Sequence, residues 1–409
     1  MIKQLTTTAI LLALSAAQIA FAQKDQGFIY GKVTTIDNDT YEGPIRWGKE
    51  EVYWTDLFNA GKEENENIEY LSRSELNRLD RHEHRRNWGL NVHWDWDWDN
   101  DYKHQFGCQF GDLKRITVTG RDRLEIELQN GVDMELDGRG YNDVGAKIRL
   151  IDNELGEVEL RWSRIDEIEF MPTPAKIDRK FGEPLFGKVE TRSGTFTGFI
   201  QWDHDERVSR DKLDGDTRDG DLSIEFGRIK AIERDGSGSL VTLTSGRDLF
   251  MRGTNDVNHE NKGIIVTTEF GRVDIEWREF EKVTFQEAPN SGKPYKDFAK
   301  QKALEATVKT EDGKKLNGRI VYDLDEAYDF EILHGMDDDD IEYLIPFRNI
   351  KSIQPKGYDE SEVVLNNGKK LRLEESQDVS DENTGLLVFE GTKDPVYVAW
   401  DDIDEIVFN

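Results

Sequence analysis

One tryptophan-centred motif, written three times, constrains this chain more than any other feature. Val158, Leu160, Trp162, Ile165, Ile168 and Phe170 are matched by Val273, Ile275, Trp277, Phe280, Val283 and Phe285, and again by Val396, Val398, Trp400, Ile403, Ile406 and Phe408. Other landmarks keep the same order. Phe110, Leu113 and Ile116 correspond to Phe226, Ile229 and Ile232 and to Phe347, Ile350 and Ile353. Turn triplets ending in Gly131, Gly246 and Gly368 follow, and then Asp143, Asp256 and Asp378, each just before a valine. An isoleucine two residues before an aromatic marks the front of each copy, at Ile45 and Trp47, Ile200 and Trp202, and Ile320 and Tyr322. The period exceeds a hundred residues, which is domain size and well above a solenoid unit.

Prolines agree with that division. Pro172, Pro174 and Pro184 fall between copies one and two, and Pro289 and Pro294 between two and three, where a missing N–H costs least. The reading is repeat 1 at 23–172, repeat 2 at 184–288 and repeat 3 at 303–409, preceded by a signal peptide at 1–22. Within each repeat, short β-branched and aromatic runs alternate with Gly, Asn and Asp turns about every ten residues, the pattern of an all-β sandwich or barrel. The one helix expected lies near 67–86, opened at Ser74.

Each repeat also looks doubled. Phe226, Ile229 and Ile232 close one half of repeat 2, and Trp277, Phe280 and Val283 close the other. An aromatic followed by hydrophobes three and six positions later suits a single 3₁₀ turn leading into a closing strand. In this ending the halves resemble Sm-like and SH3-like small barrels. The resemblance implies three tandem repeats of short antiparallel strands, each a pair of small barrels fused across an apolar seam or else a compact sandwich. Segments 198–203, 253–258 and 322–326 carry a second resemblance, to secreted β-repeat proteins of Gram-negative bacteria. It implies export and repeat structure and brings no reaction with it.

Address follows from the first residues. Lys3 precedes an apolar run from Ala9 to Ala20, and Ala20 and Ala22 place small residues at a signal-peptidase site, so cleavage is expected before Gln23. The expected compartment is the periplasm or the exterior. The chain carries 84 acidic and 54 basic residues and a net charge of −30. That charge disfavours nucleic acid, where affinity comes from Lys and Arg on phosphate. No apolar run spans a bilayer as a helix, so the protein is not expected to be membrane-integral. Cys108 is the sole cysteine, which excludes an internal disulfide framework.

Repeat 1 departs from the other two by an insertion near 59–109, which lengthens the interval from Val33 to Phe110 relative to Val189–Phe226 and Val308–Phe347. A scaffold written three times with one decorated loop carries its particular function on the decoration. In that loop Trp94, Trp96 and Trp98 alternate with aspartates, so on a strand they share one face. They are the candidate binding residues, offering an aromatic platform to a sugar ring, a peptide or a protein; the alternative is the buried face of an extra strand. His82, His84, His93 and His104 also fall there, but Arg81, Arg85 and Arg86 crowd them with positive charge, and a solvated loop is expected instead of a zinc site. Cys108 reads as a small core residue.

The acidic run from Asp214 to Asp221 fails as an EF-hand, because Arg218 and Asp219 stand where an oxygen ligand and glycine are needed. GxSxG, P-loop and HExxH motifs are absent. No cofactor, metal or catalytic residue is assigned. The function expected is an exported binding module, a row of three β domains meeting an envelope protein, a peptide or a glycan. A structural or assembly factor of the envelope, and a hydrolase acting on envelope polymers, are the alternatives.

Overall fold

The computed structural model describes residues 24–62, 65–76, 79, 105–391 and 394–409. Trp94, Trp96 and Trp98 lie outside the described residues, as do His82, His84, His93, His104 and residues 1–22.

The described chain is all-β, with antiparallel sheets. Repeat 1 contains β1 (Tyr30–Thr35), β2 (Thr40–Trp47), β3 (Leu57–Lys62), β4 (Gln105–Gln109), β5 (Leu113–Val118), β6 (Arg123–Leu128), β7 (Asp133–Asp137), β8 (Ile148–Asp152), β9 (Gly156–Leu160) and β10 (Ile165–Phe170). Repeat 2 contains β11 (Phe186–Thr191), β12 (Thr195–Trp202), β13 (Lys212–Thr217), β14 (Gly220–Glu225), β15 (Ile229–Asp235), β16 (Gly238–Leu243), β17 (Asp248–Met251), β18 (Ile264–Thr267), β19 (Arg272–Ile275) and β20 (Phe280–Phe285). Repeat 3 contains β21 (Glu305–Thr310), β22 (Lys315–Val321), β23 (Ile332–Met336), β24 (Ile341–Pro346), β25 (Ile350–Pro355), β26 (Glu360–Leu365), β27 (Lys370–Glu374), β28 (Leu386–Phe389), β29 (Val396–Val398) and β30 (Ile403–Phe408).

Strand alternation reconciles an acidic composition with a core. In β6, Leu124, Ile126 and Leu128 are buried while Arg123, Glu125 and Glu127 face outward. Period-two strands with one wet face carry one core residue for each charged one. The repeated turns place Gly131, Gly246 and Gly368 at φ of 84°, 87° and 87°, a conformation that a Cβ would strain. The expected 3₁₀ turn precedes the closing strand at Phe110–Asp112, Trp162–Arg164, Phe226–Arg228, Phe347–Asn349 and Trp400–Asp402.

The two halves of a repeat exchange their first hairpins. In repeat 1, β1 and β2 pair with β10 and β8 of the second half, while β6 and β7 pair with β5 and β3 of the first. The sheet runs in open order β4-β3-β7-β6-β5-β10-β1-β2-β8-β9. Repeats 2 and 3 do the same: β11 and β12 join β20 and β18, and β21 and β22 join β30 and β28. Each half therefore lacks two strands of its own sheet until the other half supplies them.

The repeats touch one another all round, which corrects the expectation of a row. Repeats 2 and 3 share one apolar core and one sheet, through pairing of β19 with β24. Repeat 1 has its own core, completed by Tyr295 and Phe298 of the second linker and Phe330 of repeat 3. It is tied to repeat 3 by Arg348, whose Nη1 and Nη2 reach Asp112 Oδ1 at 2.7 Å and Oδ2 at 2.9 Å. Asp112 is fully buried. Removing one member of a buried pair strands the other charge, at a cost of about 3–5 kcal/mol. Arg348→Met is expected to destabilise the protein by about that amount in denaturant unfolding, and adding Asp112→Asn to it should recover most of the loss. An Arg348→Met protein as stable as wild type would show that the pair does not hold repeats 1 and 3.

Candidate functional site: the carboxylate-locked loops and the insertion they support

Three equivalent loops, each joining the second strand of a repeat to its third, hold the repeats together. In each, a carboxylate at the loop end folds back on the loop's own backbone. Asp56 Oδ2 accepts from the amides of Val52 and Tyr53, both at 2.8 Å. Asp211 Oδ2 accepts from Arg207 at 2.7 Å and Val208 at 2.9 Å. Glu331 Oε2 accepts from Ala327 at 2.6 Å and Tyr328 at 2.9 Å. The second oxygen of each takes a cation from another repeat: Arg207 Nη2 on Asp56 at 2.5 Å, Arg46 Nη1 on Asp211 at 2.7 Å, and Lys62 Nζ on Glu331 at 2.6 Å. Repeats 1 and 2 thus exchange arginines, and Lys62 also reaches Asp325 Oδ1 at 2.7 Å. Arg207 is completely buried, its guanidinium 4.7 Å from the centre of the Tyr53 ring, an arrangement that lets the ring face offset part of the desolvation.

Beneath each loop lies a second carboxyl pair. The indole of Trp47 donates to the Asp143 carbonyl at 2.9 Å and that of Trp202 to the Asp256 carbonyl at 2.8 Å; the Tyr322 hydroxyl does the same to Asp378. The side chains of these three aspartates accept from the amides of Asn59, Asp214 and His334 at 2.7, 2.7 and 2.6 Å. Asp256 and Asp378 lie in single 3₁₀ turns, Asn255–Val257 and Gln377–Val379, and these aspartates fasten the third strand to the aromatic of the second. Glu51, Glu206 and Glu326 lie close to Asp143, Asp256 and Asp378 respectively. Burial, reinforced by neighbouring carboxylates, pushes Glu206 up to about 9. Burial likewise raises Asp143 to about 7, and Asp256 and Asp378 to about 6. These acids keep their protons toward neutral pH, and each aspartate carboxyl accepts a backbone amide of the third strand, which is the arrangement of a structural fastening.

The candidate residues chosen from sequence separate clearly. Trp162, Trp277 and Trp400 are buried. Cys108 is fully buried and its thiol is pushed up by that burial, so it is not poised as a thiolate. The run from Asp214 to Asp221 forms the β13–β14 hairpin. No group of three His, Cys, Asp or Glu among the described residues is arranged to hold a metal. The proposed platform of Trp94, Trp96 and Trp98 lies outside the described residues.

The described flank of the insertion docks on repeat 3. Asn65 and Asn67 donate to the Leu324 carbonyl, both at 3.1 Å. Leu71, with Leu76 and Leu79, packs against Val321, Leu324 and Leu387, and the Tyr70 ring meets Phe389 edge-on at 5.5 Å. The expected helix is a 3₁₀ turn at Glu66–Tyr70 and helical residues 73–76. Its cap is Ser72 and not Ser74: the Ser72 amide donates to Glu75 Oε2 at 2.7 Å and the Glu75 amide to Ser72 Oγ at 3.4 Å. The spacing of Leu71, Leu76 and Leu79 was the available signal for a docked apolar face. Its destination in another repeat had none.

The buried acids set a direction for stability against pH. A carboxyl that binds its proton more tightly folded than unfolded stabilises the fold below its unfolded value, near 4, and that stabilisation is lost as pH rises through the folded value. For Asp256, Asp378, Asp143 and Glu206 the loss spans pH 4 to about 9. The thermal midpoint should therefore be several degrees higher at pH 5 than at pH 9, with a smaller difference in Glu206→Gln. A midpoint that rises with pH across this window would contradict the assignment.

No family model, no curated protein and no solved structure matches this chain, so its function is read from its own residues.

Proposed function

We propose that the protein is an exported binding protein of the bacterial envelope, in which the locked three-repeat body carries one recognition segment containing Trp94, Trp96 and Trp98. The observation that carries this reading is the docking of the insertion's flank. Asn65, Asn67, Leu71 and Leu76 fix it to repeat 3, while β4, on its other side, is paired with β3 in the sheet of repeat 1. A segment held by two repeats is ordered at its ends before any partner arrives, which lowers the entropy lost on binding. The partner class is an envelope protein, a peptide or a glycan, since an aromatic face suits each of these. The chain packs into the body from its first described residues: Ser291 donates its amide to the Lys24 carbonyl at 2.9 Å, and Asp25 pairs with Lys180 at 2.7 Å. Cleavage before Gln23 would remove nothing that these contacts use. The order within each half, four strands, a turn and a fifth strand, supports reading the halves as small Sm-like or SH3-like units with exchanged first hairpins.

Replacing Trp94, Trp96 and Trp98 together by Ala tests this directly. Exposed side chains cost little to truncate, so the thermal midpoint should move by no more than a few degrees while capture of partners from envelope extract is lost. A buried Trp→Ala costs about 3–5 kcal/mol, so a collapse of the midpoint would make these residues core and overturn the platform. On address, the mature chain should begin at Gln23 and leave the cell on osmotic shock. Recovery of uncleaved protein from the membrane fraction would refute export by cleavage.

A further inference from the structure

The ladder between β19 and β24 pairs a strand of repeat 2 with a strand of repeat 3. Its register puts Asp274 directly opposite Glu342. Like charges in that position repel, yet here the strands join. Each carboxylate has an imidazole of its own: His204 Nε2 lies 3.0 Å from Asp274 Oδ1, and His334 Nε2 lies 2.5 Å from Glu342 Oε1. Arg272, on the same strand as Asp274, adds a contact of 3.5 Å to its Oδ2. Gly263 makes room for the first pair, since a Cβ there would stand 2.9 Å from Asp274 Oδ1 and 3.1 Å from His204 Nε2.

The corresponding strands of repeats 1 and 2 are instructive. By the repeat alignment, pairing β9 with β14 in the same register would oppose Glu159 to Asp221, with Lys49 in place of His204 and Asp214 in place of His334. Those two strands do not pair. The apolar face differs in part: Val158 and Leu222 stand where Val273 and Tyr343 meet, whereas Leu160 and Gly220 stand where Ile275 and Ile341 meet. The charged face differs as well.

We propose that the β19–β24 seam is a proton-dependent joint between repeats 2 and 3, tight when His334 is protonated and looser when it is neutral. In the protonated state Glu342 has its own cation. In the neutral state it shares Arg272 with Asp274, and Arg272 is shared further with Glu51 and Asp143 of repeat 1. The remaining charged groups facing the joint are Asp378, which acts on His334 from the turn behind it, and Glu276, which Arg278 and Asp340 flank at the end of the ladder. The direction agrees with the local electrostatics. Burial pulls the His334 imidazole down, but Glu342 outweighs it and the imidazole sits above its ordinary value; burial raises Glu342, but His334, Arg272 and His204 hold it at about 2. A group whose proton affinity is raised by folding gives stability at low pH that is lost as pH rises through its folded value. The joint therefore loosens from neutral pH upward, and most at low salt, since these side chains are partly exposed and screened.

Hydrogen exchange on the full chain, corrected for the intrinsic pH dependence of exchange, reads this out. Amides of β19 and β24 should open several-fold more readily at pH 8.5 than at pH 6, relative to the β1–β10 ladder in the same sample. The reference ladder removes the global effect of the buried acids. In the Asp274→Asn, Glu342→Gln double variant the excess response should vanish. Equal responses of seam and reference in the wild type, or an undiminished excess in the double variant, would overturn the proposal. Should the double variant fold poorly, titration of the His334 ring protons by NMR in the single variant Glu342→Gln decides: the midpoint must fall relative to wild type, and an unchanged midpoint refutes the pairing on which the joint depends.

Discussion

Everything in this fold leans on a carboxylate that has two jobs. Asp56, Asp211 and Glu331 each close their own loop through two backbone amides and, with the other oxygen, hold a cation from a different repeat. Local order and assembly are thereby one interaction. A loop that loses its carboxylate frees its backbone donors and also leaves a buried arginine or lysine without its counter-charge. Such pairs add little net stability over an apolar contact, but breaking one side is costly. Their value lies in fixing which loop meets which neighbour. The exchanged hairpins act in the same direction at the level of the sheet, because neither half of a repeat has a complete set of strands without the other.

This explains how a chain with a net charge of −30 holds a large core. Charged residues occupy the wet face of strands whose other face is apolar, and the carboxyls that do enter the interior arrive with a fixed fate. Some, such as Asp112, meet a cation. Others, such as Asp143 and Asp256, accept a backbone amide and retain a proton to higher pH. The acid-stabilised behaviour expected of the protein is a consequence of the second group. It works in concert with relief of surface repulsion as exposed carboxylates take up protons.

The strand-rich character and the 3₁₀ turns were legible because each leaves a local pattern: an aromatic with hydrophobes at three and six, or a glycine at a turn. The hairpin exchange was not legible. An exchanged and an unexchanged pair of halves bury the same alternating residues, so periodicity is identical in both. The contact between repeats was equally hidden. Asp56 and Arg207 are far apart in sequence, and nothing near either one names the other. The site was half legible: the insertion stood out by length and by Trp94, Trp96 and Trp98, while its anchoring on Leu324 and Leu387 depended on a surface of repeat 3 that has no signature of its own.

Repetition also creates a hazard, since equivalent edge strands are alike and could pair in several ways. The chain meets it with charge and with proline. The edge strand β9 carries Glu157 and Glu159, and β29 is only three residues long and follows Pro395, both ordinary ways of blunting an edge. On β19 the charged face is matched by His204 and Arg272 on one side and His334 on the other, whereas Glu159 and Glu157 of β9 pair with Lys147 and Arg149 within repeat 1. The apolar face contributes to selecting β19 with β24, since buried Ile275 meets Ile341 where β9 and β14 would offer Leu160 and Gly220. The electrostatic face contributes the rest, and because His334 is one of its cations, a residue that helps to specify which repeats join also ties the proposed joint to pH.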